Sequence, residues 1–183
     1  MKRPAHLTVF TIGHSTRPVE TLIELLLAHG VKRLIDVRTI PRSRHNPQFN
    51  RETLPDSLLS AGIAYTHMAA LGGLCHARPD SPNGGWRNAS FRGFADYMQT
   101  AEFAAGLKTL LKAARGERIA IMCAEAVPWR CHRSLIADAL TVRGYPVEHI
   151  LSANRAQPHS LTSFAKVRGT RVTYPPVEQS PDL

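Results

Sequence analysis

Arg118-Ile119-Ala120-Ile121-Met122-Cys123 is the segment of the sequence that decides the fold. Its run of apolar residues does not alternate with polar ones, which is typical of a strand at the centre of a sheet covered on both faces. Four shorter apolar segments also predict strands, at residues 7–12, 33–37, 63–67 and 147–151. We therefore predict a single three-layer α/β domain with a mainly parallel sheet of about five strands and helices on both faces.

Segments with helical spacing of apolar residues lie between these strands. Thr16 and Thr53 are the predicted N-caps of the first two helices, and a third long helix is predicted over residues 100–115. Residues 71–93 are rich in glycine and proline and predict a long irregular stretch of the kind that often carries function. The predicted domain covers residues 1–153, followed by a loose, basic and then proline-rich tail over residues 154–183.

Arginine dominates the positive charge of the chain. The net charge is +9, and 18 of the 23 basic residues are arginine, whose planar fork pairs with phosphate and carboxylate groups. An anionic small molecule or a nucleic acid is the expected partner, and a merely solvated basic surface is the alternative. The chain has no apolar run long enough for a membrane span and only three cysteines, so we expect a cytoplasmic protein with reduced thiols.

Polar clusters follow the ends of four predicted strands. Ligands of such folds bind beyond the carboxyl ends of the strands, so these clusters predict a site there. The catalytic candidates are His14, Asp36, Glu125 and His132, and the anion-binding candidates are Ser15, Arg38, Arg42, Gly72, Gly73, Arg130, Cys131 and Arg133. No Walker loop, G-x-G-x-x-G or C-x-x-C motif is present, and we expect neither a cofactor nor a metal ion.

The carboxylates and His14 each admit two interpretations. Asp36 could accept a proton or orient a histidine, or it could form an ion pair with Arg38, two residues on and on the same face of the strand. Glu125 could be a general base made more basic by partial burial, or an exposed loop acid. His14 could be a general acid, an anion ligand or a hydrogen-bonded residue of a turn.

The Cys131-His132-Arg133 cluster opens a helix, where unpaired backbone N–H groups favour anions. The residues either bind an anion together with Arg130 or only cap the helix. The same position favours the thiolate form of Cys131, so a redox sensor that uses Cys131 with Cys123 is a further alternative. Cys123 could instead be a core residue at the end of its strand. No arginine follows either cysteine at the phosphate-loop distance of five or six positions, which argues against a phosphatase or a sulfurtransferase.

An ordered set of short motifs resembles a known family. The motifs are Thr11-Ile12-Gly13-His14-Ser15, Asp36-Val37-Arg38, Pro41-Arg42-Ser43, Phe49-Asn50, Tyr65-x-His67, Leu71-Gly72-Gly73, Cys123-x-Glu125 and Cys131-His132-Arg133. In this order, from about residue 11 to residue 151, the chain resembles the family catalogued as domain of unknown function 488. The resemblance implies an α/β fold and a shared polar site that includes His14, Asp36, Arg38, Glu125, His132 and Arg133, without assigning roles to them.

The leading hypothesis is an enzyme that acts on a phosphate-bearing small molecule such as a nucleotide. The helix start at Cys131 and the arginines Arg38 or Arg42 would hold the anion. Glu125 or Asp36 would be the base and His14 or His132 the acid, while the Gly72-Gly73 segment would close as a lid. The alternative is a nucleic-acid-binding module that uses the arginine-rich loop over residues 38–51 and the basic tail.

Overall fold

The computed structural model describes residues 6–177 of the chain. The strands are β1 (Val9–Gly13), β2 (Arg33–Asp36), β3 (Ala64–His67), β4 (Ile119–Cys123), β5 (Val147–Ser152), β6 (Arg155–Pro158), β7 (Lys166–Arg168) and β8 (Arg171–Thr173). The α-helices are α1 (Val19–Ala28), α2 (Leu54–Ser60), α3 (Ala89–Tyr97), α4 (Ala101–Gly116) and α5 (Arg133–Thr141). Three-residue 3₁₀ helices occupy Pro47–Phe49, Ala69–Leu71 and Pro128–Arg130.

The first six strands form one sheet in the order β3-β2-β4-β1-β5-β6. The five strands β1 to β5 are parallel to one another, and β6 is antiparallel to β5. Strand β4 lies between β2 and β1 with all five residues buried, as its unbroken apolar run predicts. The mainly parallel sheet is therefore confirmed.

Helices cover both faces of this sheet and complete the three layers. Helices α1 and α2 pack on one face in a core that includes Leu22, Leu58 and Ile12. Helices α3, α4 and α5 pack on the other face in a core that includes Phe94, Leu110 and Leu135. Within residues 6–177, no helix is long and apolar enough to cross a membrane.

The strand order creates a crevice between β4 and β1. From β1 the chain passes through α1 on one face toward β2, whereas from β4 it passes through α5 on the other face toward β5. Two neighbouring strands whose connections leave in opposite directions form a topological switch point, which is where open parallel sheets bind ligands. The site predicted at the strand ends therefore has a specific place on the sheet.

Two helices begin at different residues from those predicted. Helix α1 starts at Val19 with Pro18 as the preceding residue, so Thr16 does not cap it. Helix α3 starts at Ala89, inside the stretch 71–93 that was predicted to be irregular, because the Asn88 side chain accepts hydrogen bonds from two backbone N–H groups of its first turn. Thr53 does precede α2, but its hydroxyl donates to loop carbonyl groups instead of capping the helix.

The segment after residue 153 is more ordered than the sequence suggested. Strand β6 extends the main sheet, and β7 and β8 form an antiparallel hairpin. Tyr174 is fully buried, and its hydroxyl donates to the Asp138 carboxylate at 2.7 Å. His159 and Thr162 also bind Asp138, so one buried carboxylate on α5 anchors this segment. Residues 1–5 and the tail residues 178–183 lie outside the described part of the chain.

Candidate functional site

A cleft of about 750 Å³ opens at the carboxyl edge of the sheet, at the switch point between β4 and β1. Nine of the twelve predicted site residues line it: His14, Ser15, Arg38, Arg42, Gly73, Glu125, Arg130, Cys131 and His132. The other three, Asp36, Gly72 and Arg133, are buried behind its walls. The expected convergence of these loops is therefore present.

The loop after β1 forms one wall through close backbone packing. A side chain on Gly13 would overlap the backbone carbonyl of Glu125, so this position requires glycine. Ser15 has a φ of 51°, a left-handed conformation that is uncommon for a residue with a side chain. Such backbone conformations occur preferentially at functional sites, where the surrounding contacts impose them. Here the Ser15 N–H donates to the carbonyl of Ala124, which ties the loops after β1 and β4 together.

Asp36 and Arg38 form a buried ion pair. The Asp36 side chain is fully buried, and it accepts hydrogen bonds from the backbone N–H and the guanidinium of Arg38 and from the Tyr65 hydroxyl. Burial and the neighbouring carboxylate raise the pKa of Tyr65, which keeps its hydroxyl a donor. Arg38 also donates to the carbonyl of Phe49. Of the two interpretations of Asp36, this geometry matches the ion pair, and the carboxylate does not face the cleft.

His14 is held as a neutral imidazole. Burial lowers its pKa to about 4. Its Nδ1 lies 2.7 Å from the carbonyl of Ser15, so Nδ1 carries the proton and Nε2 presents a lone pair to the Arg38 guanidinium at 3.3 Å. The ring stacks on Phe49 with ring centroids 4.3 Å apart. At neutral pH the residue is therefore a hydrogen-bond acceptor toward Arg38, and among its three interpretations the contact of Nδ1 with the Ser15 carbonyl matches the hydrogen-bonded residue of a turn.

His132 is also neutral and has a defined tautomer. Burial lowers its pKa to about 4. Its Nε2 lies within 3.1 Å of the carbonyls of Val37 and Leu71, so Nε2 carries the proton and the lone pair is on Nδ1. A side chain on Gly73 would come within 2.6 Å of this Nδ1. The Gly72-Gly73 segment is thus packed against His132, where it had been predicted to form a lid.

Three charged side chains are exposed in the cleft. Arg130 is exposed and forms no ion pair within the described residues, and Arg42 reaches Glu52 only at 3.4 Å on the surface. Glu125 is exposed as well, which matches the exposed loop acid of its two interpretations. These groups keep their hydration and are available to a ligand.

Arg133 lies in the core and not in the cleft. Its guanidinium donates to the backbone carbonyls of Glu125 and Ala126 and contacts the Cys123 sulfur, so it braces the loop that follows β4. Cys123 and Cys131 are joined by a disulfide, where the sequence had predicted reduced thiols. No group of three or more His, Cys, Asp or Glu side chains in residues 6–177 is arranged to hold a metal ion.

Sequence reasoning did not single out several residues that line the cleft. They are Thr39, Ile40, Asn46, Leu74, Asn88, Ser90, Phe91, Ala124 and Ala126. Leu74, Asn88, Ser90 and Phe91 come from the irregular stretch and the start of α3 and line the cleft. The glycine- and proline-rich composition of that stretch was the available signal, because long loops of compact domains are usually functional.

The sequence profile of a family described as Domain of unknown function DUF488 matches residues 18–140. The chain belongs to this DUF488 family. The matched region contains β2, β4 and the start of α5, which supply Arg38, Glu125 and His132 to the cleft. No curated protein and no solved structure shows significant similarity to this DUF488 chain.

Proposed function

We propose that this DUF488 protein binds a phosphate-bearing small molecule of the nucleotide class in the cleft between β4 and β1 and acts on it there. The observation that carries the proposal is the presence of two exposed arginines, Arg42 and Arg130, in a cleft of about 750 Å³ at a topological switch point. This volume lies in the usual range for small-molecule sites.

The charges of the cleft favour an anion. Arg38 is neutralised by Asp36, and the two histidines that line the cleft are uncharged at neutral pH. Arg42 and Arg130 therefore supply the positive charge, with Glu125 as the opposing carboxylate. Arginine binds phosphate bidentately, and hydrogen bonds to charged groups contribute about 1.5–3 kcal/mol each.

The cleft also has apolar walls that suit the body of a nucleotide. Phe91 is half-buried in the wall, and Ile40 and Leu74 are exposed there. Exposed large apolar side chains that border a polar cleft are typical of ligand-binding grooves. An inorganic anion would leave these side chains in water, whereas a base or another apolar group would cover them.

Glu125 is the group best placed to move a proton. Its carboxylate lines the cleft and forms no ion pair with the residues that the structure describes. The Asp36 carboxylate is saturated by hydrogen bonds, and the neutral rings of His14 and His132 each hold their single proton in a hydrogen bond to a backbone carbonyl. We therefore assign the general-base role to Glu125 and positioning roles to the histidines.

Calorimetric titration with nucleoside mono-, di- and triphosphates and with inorganic phosphate tests this proposal. Arg130→Gln should weaken the binding of the preferred nucleotide by about 10-fold or more, because a charge-assisted contact is lost. Arg168→Gln, an exposed arginine on the β7–β8 hairpin, is the matched control and should leave the affinity unchanged. Binding of no nucleotide, or equal effects of the two substitutions, would refute the proposal.

The β7–β8 hairpin supports nucleic-acid binding as a second candidate function. It exposes Lys166, Arg168 and Arg171 with no acidic residue between them. Phosphate contacts of this type make affinity fall steeply as salt rises. Oligonucleotide binding that disappears with salt and with Arg168→Gln, but persists in Arg130→Gln, would favour this function over a nucleotide site.

A further inference from the structure

The buried guanidinium of Arg133 lacks a carboxylate partner. The side chain is 1% exposed, and within the described residues no carboxylate forms an ion pair with it. Its polar contacts are the carbonyls of Glu125 and Ala126, at 2.6 and 3.0 Å, and the Cys123 sulfur. Its Nε has no hydrogen-bond partner in residues 6–177. A buried cation requires a nearby negative charge, because neutral carbonyls replace only part of its hydration.

When its disulfide with Cys131 is reduced, the Cys123 sulfur can supply this charge as a thiolate. It lies 2.6 Å from Nη1 of Arg133, at the end of the central strand β4. A guanidinium beside a cysteine favours the thiolate over the thiol. The sequence search for an arginine five or six positions after the cysteine missed this contact, because the intervening loop brings an arginine ten positions later back onto Cys123.

A second cysteine is bonded to this sulfur. Cys131 precedes α5, and its Sγ forms a disulfide with the Sγ of Cys123, so reduction of this bond leaves two neighbouring thiols. Both cysteines lie in the wall of the cleft, where their exposed fractions are 3% and 5%, so the proposal requires a small oxidant that enters the cleft. The third cysteine, Cys75, belongs to another part of the structure and contacts the carbonyl of Gly72.

His132 provides a base for the second thiol. Its Nε2 proton is committed to two backbone carbonyls, so the lone pair of Nδ1 faces the sulfur of Cys131 at 3.6 Å. The backbone N–H of Arg133 approaches the same sulfur at 3.5 Å and would stabilise negative charge on it. Each of the two sulfurs thus has its own activating group, a guanidinium for Cys123 and an imidazole for Cys131.

We propose that Cys123 and Cys131 are a redox-active thiol pair that reduces hydroperoxides, with Cys123 as the attacking thiolate and Cys131 as the resolving thiol. The Cys123 thiolate attacks one oxygen of the hydroperoxide, so that an S–O bond forms and the O–O bond breaks. The peroxide is reduced by two electrons, and its alkoxide or hydroxide takes up the proton that Cys123 had released to solvent. Cys123 becomes a sulfenic acid.

The second step closes the disulfide. Nδ1 of His132 accepts the proton of Cys131, whose sulfur attacks Cys123 and displaces hydroxide. The hydroxide takes the proton from His132 and leaves as water. One hydroperoxide and two thiols therefore give one disulfide, one alcohol or water from the peroxide, and a further water, and a dithiol reductant restores the pair.

Stoichiometric oxidation with hydrogen peroxide, followed by mass spectrometry of the intact chain and its peptides, tests the proposal. The unsubstituted chain, first reduced with dithiothreitol and freed of the reductant, should lose two hydrogen atoms and yield a Cys123–Cys131 peptide pair that dithiothreitol reverses. Cys131→Ser should instead stop at a sulfenic acid on Cys123, which dimedone traps. Cys75→Ser is the matched control and should behave like the unsubstituted chain, because Cys75 takes no part.

Alkylation by iodoacetamide at pH 7 provides an independent measurement. In the Cys131→Ser chain, Cys123 should react about 10-fold faster than Cys75, because a free cysteine is only a few per cent thiolate at this pH. Burial raises the pKa of the Cys75 thiol, which widens the difference. Reaction of Cys123 at or below the rate of Cys75, or peroxide treatment that leaves both Cys123 and Cys131 as free thiols, would overturn the proposal.

Discussion

Replacing Arg38 by methionine should destabilise the domain strongly. The substitution keeps most of the stem but removes the guanidinium that donates to Asp36, whose side chain is 0% exposed. The Tyr65 hydroxyl and one backbone N–H would be the remaining partners of the buried carboxylate. Breaking a buried ion pair by removing one partner costs about 3–5 kcal/mol, a large part of the 5–15 kcal/mol that a typical domain has.

Arg42→Met is the matched control for this experiment. Arg42 lies in the same loop and pairs with Glu52 at 3.4 Å, but both side chains are more than 60% exposed (70% and 62%). Exposed ion pairs contribute about 0–1 kcal/mol, so this variant should unfold close to the unsubstituted protein. The same chemical change should therefore give very different losses at two sites of one loop.

Urea denaturation at neutral pH, followed by circular dichroism, measures both losses. The free energy of unfolding in water comes from linear extrapolation, and the slope with urea should stay unchanged if the folded state keeps its compactness. A loss below about 1 kcal/mol for Arg38→Met would refute the reasoning, because it would mean that water or another donor replaces the guanidinium. Equal losses for the two variants would contradict it as well.

Three further predictions concern packing, pH and the C-terminal segment. Gly13→Ala should cost about 1–3 kcal/mol in urea denaturation, because the new methyl group meets a backbone carbonyl that cannot move freely. Burial lowers the pKa values of His14, His132 and His149 to about 4, so between pH 6.5 and 4 the unfolded chain binds more protons than the folded chain. The free energy of unfolding should therefore fall as the pH drops from about 6.5 to 4. Acid unfolding curves without this fall would contradict the prediction. Asp138→Ala should expose the segment from β6 to β8 to limited proteolysis while the parallel sheet stays protected, and unchanged cleavage would argue against the anchoring role.

The location of the site could be predicted from the sequence, but the tasks of its residues could not. The polar clusters after the strands converge because parallel strands bring their carboxyl ends to one edge. Spacing along the chain left two interpretations of Asp36 open, and the fold matches the ion pair with Arg38. Arg133, by contrast, points into the core toward Cys123, ten residues earlier, and this orientation depends on the path of the intervening loop, which spacing does not predict.

Residues 154–177 illustrate a second limit. Their basic and polar composition favours a loose tail, yet β6 pairs with β5 and Tyr174 is buried against α5. The free energy for this order comes from partners already in place on the domain, such as the Asp138 carboxylate. A short polar segment does not carry that information, because its own apolar surface is too small to reveal where it packs.

The alternation of apolar segments was sufficient to establish the α/β class, the parallel sheet and the edge of the sheet at which the candidate site lies. These features are visible in the local sequence pattern, because a helix that buries one face and a strand that buries both faces need apolar residues at regular positions. Only the tertiary structure shows which histidines are neutral, that hydrogen bonds saturate Asp36, and how Cys123, Arg133 and Cys131 are arranged. Protonation and pairing depend on distances and burial among residues up to a hundred positions apart, and these quantities exist only once the core has formed.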